Sequence, residues 1–354
     1  MQIASRISSW TSGGSPTPPA ADTTRFEVVT TSQYPTAGIY SATAIDSSTP
    51  IVVDWGDGNT DSVVGDISFL THTYLAAGTY VVEISDNISS INLRADPSST
   101  PQYYNKYILT RVLNISSHVT SIPDYGFYYL TALYSVYAGD SGELALGTYA
   151  FALSYDGRAQ VLGTFDFSGR TIAAFPQWCF YYRQNLDGFL FPQGLTSIGV
   201  SAFADCFKLT SVNLSIPEGV TTLGNGAFNG CTALAQISLP STLTTIGSYT
   251  SGGFRGCKSL TEITLPASLT YLGGYSFYEC SNLGTIRSNA TTAPTLGSRV
   301  WGQSGISDSY TGGNTASAGT NRLYVPTGAT GYTSSSWATT LCDSTKCGFT
   351  LVEA

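Results

Sequence analysis

Charge is what this chain has least of. Asp, Glu, Lys and Arg make up only 11% of its 354 residues, and 23 acidic side chains outnumber 15 basic ones, for a net charge of −8. Phosphate contacts need clustered Lys and Arg, so the composition argues against nucleic-acid binding. Histidine is nearly absent: only His72 and His118 occur, and neither lies in a Ser, Cys or carboxylate pattern that nucleophilic catalysis uses. No Gly-x-Ser-x-Gly, phosphate-loop or His-Glu-x-x-His run is present. The chain also lacks a run of about 18 apolar residues, so no membrane-spanning helix is expected. No window sustains a 3.6-residue apolar period, which removes long helices from the expectation as well. Residues 1–10 carry no apolar core or cleavage box of an export signal.

What is abundant is repetition. Phe-x-x-Cys-x-x-Leu occurs four times, as Phe203…Cys206…Leu209, Phe228…Cys231…Leu234, Phe254…Cys257…Leu260 and Phe277…Cys280…Leu283. The spacing stays within the roughly 20–29 residue period of one known solenoid class. Each copy leads into a short alternating run closed by proline, such as Leu234-Ala-Gln-Ile237-Ser-Leu239-Pro240 or Leu260-Thr-Glu-Ile263-Thr-Leu265-Pro266. Alternation marks a strand with one buried face, and proline ends pairing by removing a ladder donor. A second apolar stretch, as in Leu243-Thr-Thr-Ile246-Gly247, then leads to the next phenylalanine. Its glycine is expected to free the backbone dihedral of a tight corner, and the phenylalanine to plug the coil. One coil cannot bury these side chains alone, so stability must come from stacking.

Leu-x-x-Ile-x-Leu-Pro, Leu-x-x-Ile-Gly and Ala-Phe-x-x-Cys-x-x-Leu together resemble the BspA-like, or treponemal-type, leucine-rich repeat of bacterial surface proteins. Degenerate copies extend it upstream: Phe180…Arg183…Leu186 has arginine at the cysteine position, Val119…Ile122…Phe127…Leu130 keeps the corner, and the copy around Phe151 is poor. Leu323-Tyr-Val-Pro326 with Tyr332 and Trp337 is similar to the segment that closes many such arrays.

Before the repeats, Phe26–Val29, Ile51–Trp55 and Thr79–Ile84 alternate like antiparallel strands. Trp55-Gly-Asp57-Gly58, His72-Thr-Tyr74 and Gly78-Thr-Tyr80 resemble the motifs of a polycystic-kidney-disease-like (PKD-like) β-sandwich, a spacer or interaction module. The expected fold is mainly β: residues 1–24 a Ser/Pro-rich anchor or linker, 25–98 a PKD/Ig-like sandwich, 99–290 a leucine-rich-repeat solenoid, and 291–354 a C-terminal cap.

The four cysteines of the repeat form a column, expected as small buried packing residues, with Cys179 alike; Cys342 and Cys347 are close enough in sequence to bridge. Asp54, Asp57 and Asp61 miss the alternating spacing of a calcium loop and read as a turn. No catalytic residue, metal or cofactor is expected. With Leu, Ile and Leu of each strand buried, the intervening side chains point outward. Thr210, Ser211, Asn213, Gln236, Ser238, Glu262 and Thr264 are therefore expected to line a weakly charged binding face. Tyrosines at 103–104, 128–129 and 181–182 are a second source of contacts.

Two functions fit. Surface-type repeats beginning at Met1 without an export signal suit a bacteriophage virion component assembled in host cytoplasm: a fibre, decoration or receptor-binding protein. Residues 1–24 would join virion or other assembly proteins, and the repeats would attach to a host-surface protein or glycan. The alternative is a bacterial cell-surface or extracellular adhesin of BspA type. Neither reading involves membrane insertion, and both leave room for a homo-oligomer.

Overall fold

A computed structural model describes residues 22–95, 105–153, 161–210, 214–248, 252–302, 321–332 and 349–353. Among these the regular elements are strands, as alternation without a helical period requires. Strand Thr24–Thr30 buries Phe26 and Val28 completely, and Pro50–Asp54 does the same with Ile51 and Val53.

Two sheets run through the boundary expected at residue 98. The larger has the order Thr60–Val64, Pro50–Asp54, Gly78–Ile84, Thr24–Thr30, Leu109–Asn114, Ser135–Tyr137, Gly163–Asp166, Leu186–Leu190. Its first strands are antiparallel, and Leu109–Asn114 pairs antiparallel with Thr24–Thr30 on one edge and parallel with Ser135–Tyr137 on the other. The second sheet does likewise: Ser41–Ala44 is antiparallel to Ile88–Asn92, which pairs in parallel with Ser121–Ile122. Buried side chains form one cluster from Phe26 to Tyr332. The stack would otherwise begin with an unpaired strand edge and a bare apolar coil; the antiparallel strands cover both.

Each coil contributes one aromatic plug. Phe127, Phe151, Phe180, Phe203, Phe228, Phe254, Phe277 and Trp301 stack in that order, with ring centroids between 4.9 Å and 5.6 Å apart. Phe151 is a full member of this column despite its poor surroundings in sequence, and Trp301 continues it beyond residue 290. The parallel sheet also continues, from Glu262–Leu265 through Thr285–Ser288 and Asn321–Val325 to Phe349–Glu353.

The cysteine column has a bonding rule. Each thiol donates to the carbonyl of the preceding plug: Cys206 to Phe180, Cys231 to Phe203, Cys257 to Phe228 and Cys280 to Phe254, at 3.0–3.3 Å. Arg183 obeys it too, its Nε donating to the Phe151 carbonyl at 2.6 Å. The longer side chain then reaches a further coil, where its NH1 donates to the carbonyls of Leu130 and Leu133. Burial without a carboxylate lowers the Arg183 pKa to about 9, and the Phe165 ring lies 5.4 Å from the guanidinium. Cys179 instead sits beside its plug, where other coils carry Ala150, Ala202 and Ala227. Cys342 and Cys347 lie outside the described residues.

Two expectations are corrected. The corner glycine is not there for its dihedral, with Gly247 the exception; it lets backbones touch. A Cβ on Gly224 would lie 2.6 Å from the Gly199 carbonyl carbon, and one on Gly273 2.5 Å from the Ser248 oxygen. Positive φ falls instead two residues either side of the plug, at Tyr125 and Tyr129, Trp178 and Tyr182, Ser201 and Asp205, and Gly226 and Gly230. The second correction is the register between strand runs. Counting from the leucine of each Phe-x-x-Cys-x-x-Leu motif would set Leu209, Val212 and Leu214 level with Leu234, Ile237 and Leu239, but Ser215 lies opposite Ser238. Leu214-Ser-Ile216-Pro217 therefore matches Ile237-Ser-Leu239-Pro240, because the proline-closed end, not the leucine after the cysteine, sets the pairing. Val212 lies outside the described residues.

In the turn at residues 54–61 each carboxylate has a partner. Asp54 accepts from the Gly56 amide, Asp57 from the Asn59 amide with His72 Nε2 2.8 Å away, and Asp61 from Trp55 Nε1. Buried Trp55 stacks on His72 at 5.1 Å rather than on a tyrosine ring; Tyr74 reaches it by donating to its carbonyl.

Two measurements check this core. Phe228→Ala should cost about 3–5 kcal/mol in chemical denaturation, since a ring held between two others leaves a cavity. Burial pushes the thiols of Cys206, Cys231, Cys257 and Cys280 well above their ordinary range. Iodoacetamide at mildly alkaline pH should leave these four unlabelled in the native protein and label them in denaturant, as read by peptide mass mapping.

Candidate functional site

The outer face of the parallel sheet is where polar side chains collect, because period-two alternation sends every second residue away from the core. Glu262 and Thr264 are exposed on it, and Gln236 and Ser238 are exposed on the preceding coil, from which Gln236 Nε2 donates to Glu262 at 3.3 Å. Thr210 is only half-buried and donates its hydroxyl to the Asp187 carbonyl, which ties it to the preceding coil. Ser211 and Asn213 lie outside the described residues. The register places exposed Ser215, rather than Asn213, beside Ser238.

The face continues past the expected residues and carries more charge than expected. Glu262 pairs in register with Thr285 and then Arg322, and Thr264 with Arg287 and then Tyr324. The Arg287 guanidinium lies 4.3 Å from the Tyr324 ring centroid. Alternation is the signal that could have marked Arg287 and Tyr324 as outward-facing, but only the strand pairing brings them beside Thr264.

The larger, eight-stranded sheet carries a cavity of about 450 Å³, lined by Asp22, Arg25, Asn114, Ser117, Tyr137 and Asp140, with Leu113 and Ser141. Tyr137 donates its hydroxyl to Asp140, and Asn114 its amide to the Thr23 carbonyl. Asp22 accepts from the backbone amide of Ser117 at 2.8 Å and from its hydroxyl. Burial pushes the Asp22 carboxyl upward, but hydrogen bonds from Ser117 and Asn114 and the proximity of His118 outweigh this and hold it below the usual range. Burial and the Asp140 bond push the Tyr137 hydroxyl up. Nothing in the sequence pattern marked this cavity, whose residues come from three separate segments.

Of the tyrosine pairs, Tyr128 and Tyr181 are half-buried and Tyr129 and Tyr182 buried; Tyr103 and Tyr104 lie outside the described residues. Tyr125, Tyr149 and Trp178 form a second, more exposed stacked column at 5.1 Å and 4.9 Å. Among the described residues no group of three or more His, Cys, Asp or Glu is placed to hold a metal, and no helix is long and apolar enough to cross a membrane.

A plug column, a thiol bonded to the preceding plug's carbonyl and a proline-closed outer strand define a leucine-rich-repeat solenoid. The BspA type leucine rich repeat region matches this chain in six copies, over residues 70–158, 99–215 and 212–322. The chain belongs to this repeat family. No curated protein matches it. Among solved structures it is similar to a leucine-rich repeat protein from Bacteroides ovatus, at 16% identity over 86% of this chain and 76% of the other, with a TM-score of 0.39. The T. pallidum leucine-rich repeat protein matches at 20% identity over 60% and 78%, with a TM-score of 0.35. A leucine-rich cell surface protein from Faecalibacterium prausnitzii matches at 20% identity over 63% and 85%, with a TM-score of 0.21. The family assignment rests on the repeat match, not on these superpositions.

Asp22 ties residue 22 to the 116–118 loop, and its depressed pKa has a stability consequence. An Asp whose folded pKa lies below its unfolded value contributes fully above about pH 4, and the contribution is lost as pH falls through the folded value. Asp22→Asn should therefore lower the melting temperature at neutral pH and flatten its decline on acidification below about pH 4, measured by thermal melts across that range.

Proposed function

We propose that this protein is a non-enzymatic binding protein of the bacterial surface, attaching to a host-surface protein or glycan through the outer face of its repeat sheet. The observation that carries this reading is the face itself: Gln236, Ser238, Glu262, Thr264 and Arg287 are exposed in adjacent coils, in runs whose alternate residues are committed to the core. Repeats of the BspA type favour the cell-surface reading over the virion component, for which neither the described residues nor the relatives supply support.

Within this proposal the antiparallel strands of residues 25–98 are a PKD-like sandwich that caps the stack at its start, and residues 291–354 close it at its end. Residues 1–24, of which only the last few are described, serve as the link to the carrying surface or assembly.

The test uses the purified full chain on immobilised mucin and extracellular-matrix proteins. Gln236→Arg combined with Thr264→Arg should reduce attachment at least tenfold with no change in melting temperature, because neither side chain reaches the core. Wild-type attachment by that variant would move the site off the sheet face.

A further inference from the structure

We propose that the cavity bounded by Asp22, Arg25, Asn114, Tyr137 and Asp140 is a preformed subsite for a neutral saccharide unit. This deepens the reading above and rests on it for the protein's role, though not for the chemistry of the cavity. Three observations lead there.

The first is size and wall chemistry. A volume of about 450 Å³ lies within the roughly 300–1,000 Å³ of small-ligand sites, which combine an apolar lining with a few convergent polar groups. Leu113 and the Tyr137 ring supply apolar surface, while Asp22, Asp140 and Asn114 supply acceptors and Arg25 a donor. A pyranose ring has the matching character, with an apolar C–H face and hydroxyls around its edge. Hydroxyls that donate to a carboxylate make charge-assisted bonds, about twice as strong as neutral ones.

The second is charge. Asp22 and Asp140 disfavour an anionic ligand such as a sialylated or sulfated sugar. Arg25 at the wall, which also pairs with Glu83 at 3.5 Å, and the buried Arg170 guanidinium, which feels the Asp22 charge, offset part of that negative charge and so weaken the pull on a cation such as a lysine side chain. A ligand with both donors and acceptors and no net charge meets neither penalty.

The third is that the rim is built rather than incidental. Arg170 is fully buried, and its guanidinium donates to the carbonyls of Ser116, Val119 and Glu143. It thereby fixes the two loops that carry Ser117 and Ser141. In the second loop Gly139 and Gly142 both have φ of +96°, and a Cβ at these positions would lie 2.5 Å from the Ile115 oxygen and 3.0 Å from the Ser117 oxygen. Only glycine allows these loops to close on one another. A rim held this way loses little freedom on binding, which leaves more of the contact energy as affinity.

The experiment is retention of the full chain on an array of immobilised neutral hexose and N-acetylhexosamine oligosaccharides. Sialylated and sulfated glycans serve as anionic probes, and glucosamine oligomers as the cationic one. Wild type should retain at least one neutral oligosaccharide, and Asp140→Ala should weaken that retention at least tenfold without changing the melting temperature. Ser141→Arg, which blocks the mouth from an exposed position, should do the same. Retention of no neutral member, retention of charged members alone, or wild-type retention by both variants would overturn the proposal. The Gln236→Arg/Thr264→Arg variant keeps the two readings apart: it should retain neutral sugars like wild type. Failure of the sheet face shows as unchanged mucin and matrix binding by that variant, and failure of the cavity as unchanged sugar retention by Asp140→Ala.

Discussion

Everything in this molecule depends on how the plug of one coil meets the next. A phenylalanine in a coil of some 25 residues has no core of its own, so it gains burial only from the rings above and below. Close ring stacking brings with it a polar problem, because the carbonyl of each plug residue is buried at the same corner. The thiol of the following coil answers it, as with Cys231 donating to Phe203. Where the column lacks cysteine, Arg183 makes the same bond from Nε and extends to two more carbonyls upstream. A buried guanidinium is a costly substitute, offset here by bonds to three carbonyls, of which those of Leu130 and Leu133 are shared with the Leu133 amide and the Asn185 side chain. Positive φ on either side of the plug, and backbone contact at Gly224, follow from the same close stacking.

The second consequence is a surface that is both flat and available. Because inward positions are spent on the plug column and its leucines, outward positions are free to vary without cost to the fold. They do vary: small hydroxyls at the Ser215–Ser238 bridge give way to Glu262, Arg287 and Tyr324 on the sheet of the later coils. Elsewhere the threonine hydroxyls of the shorter-strand sheet are spent internally, each bonded to the carbonyl of the previous coil, as with Thr221, Thr244 and Thr270.

The antiparallel strands ahead of the repeats extend both sheets rather than standing beside them. Leu109–Asn114 is the hinge of this arrangement, antiparallel on one edge and parallel on the other. That junction also creates the cavity, since Arg25 comes from the antiparallel side, Asn114 from the joining strand, and Tyr137 and Asp140 from the next coil. A fold with separable units would have no such place.

By itself the sequence determined the period, the phenylalanine plugs from Phe203 to Phe277, the cysteine column and the outward alternation at Gln236, Ser238, Glu262 and Thr264. These are local properties: a seven-residue motif recurring at near-constant spacing, and alternation within a strand, need no knowledge of partners. Tertiary structure decided everything that depends on which strand lies beside which. Alternation sorts Ser215 and Asn213 equally to the outside, and only the pairing with Ser238 chooses between them. The repeats were expected to end at residue 290, and only the stacking of Trp301 on Phe277 carries the plug column beyond it. The 98/99 boundary followed a change in local pattern that the hydrogen-bonded sheets ignore. Asp22, Asn114, Tyr137 and Asp140 share no spacing, and meet only because sheet continuity folds distant segments onto one rim.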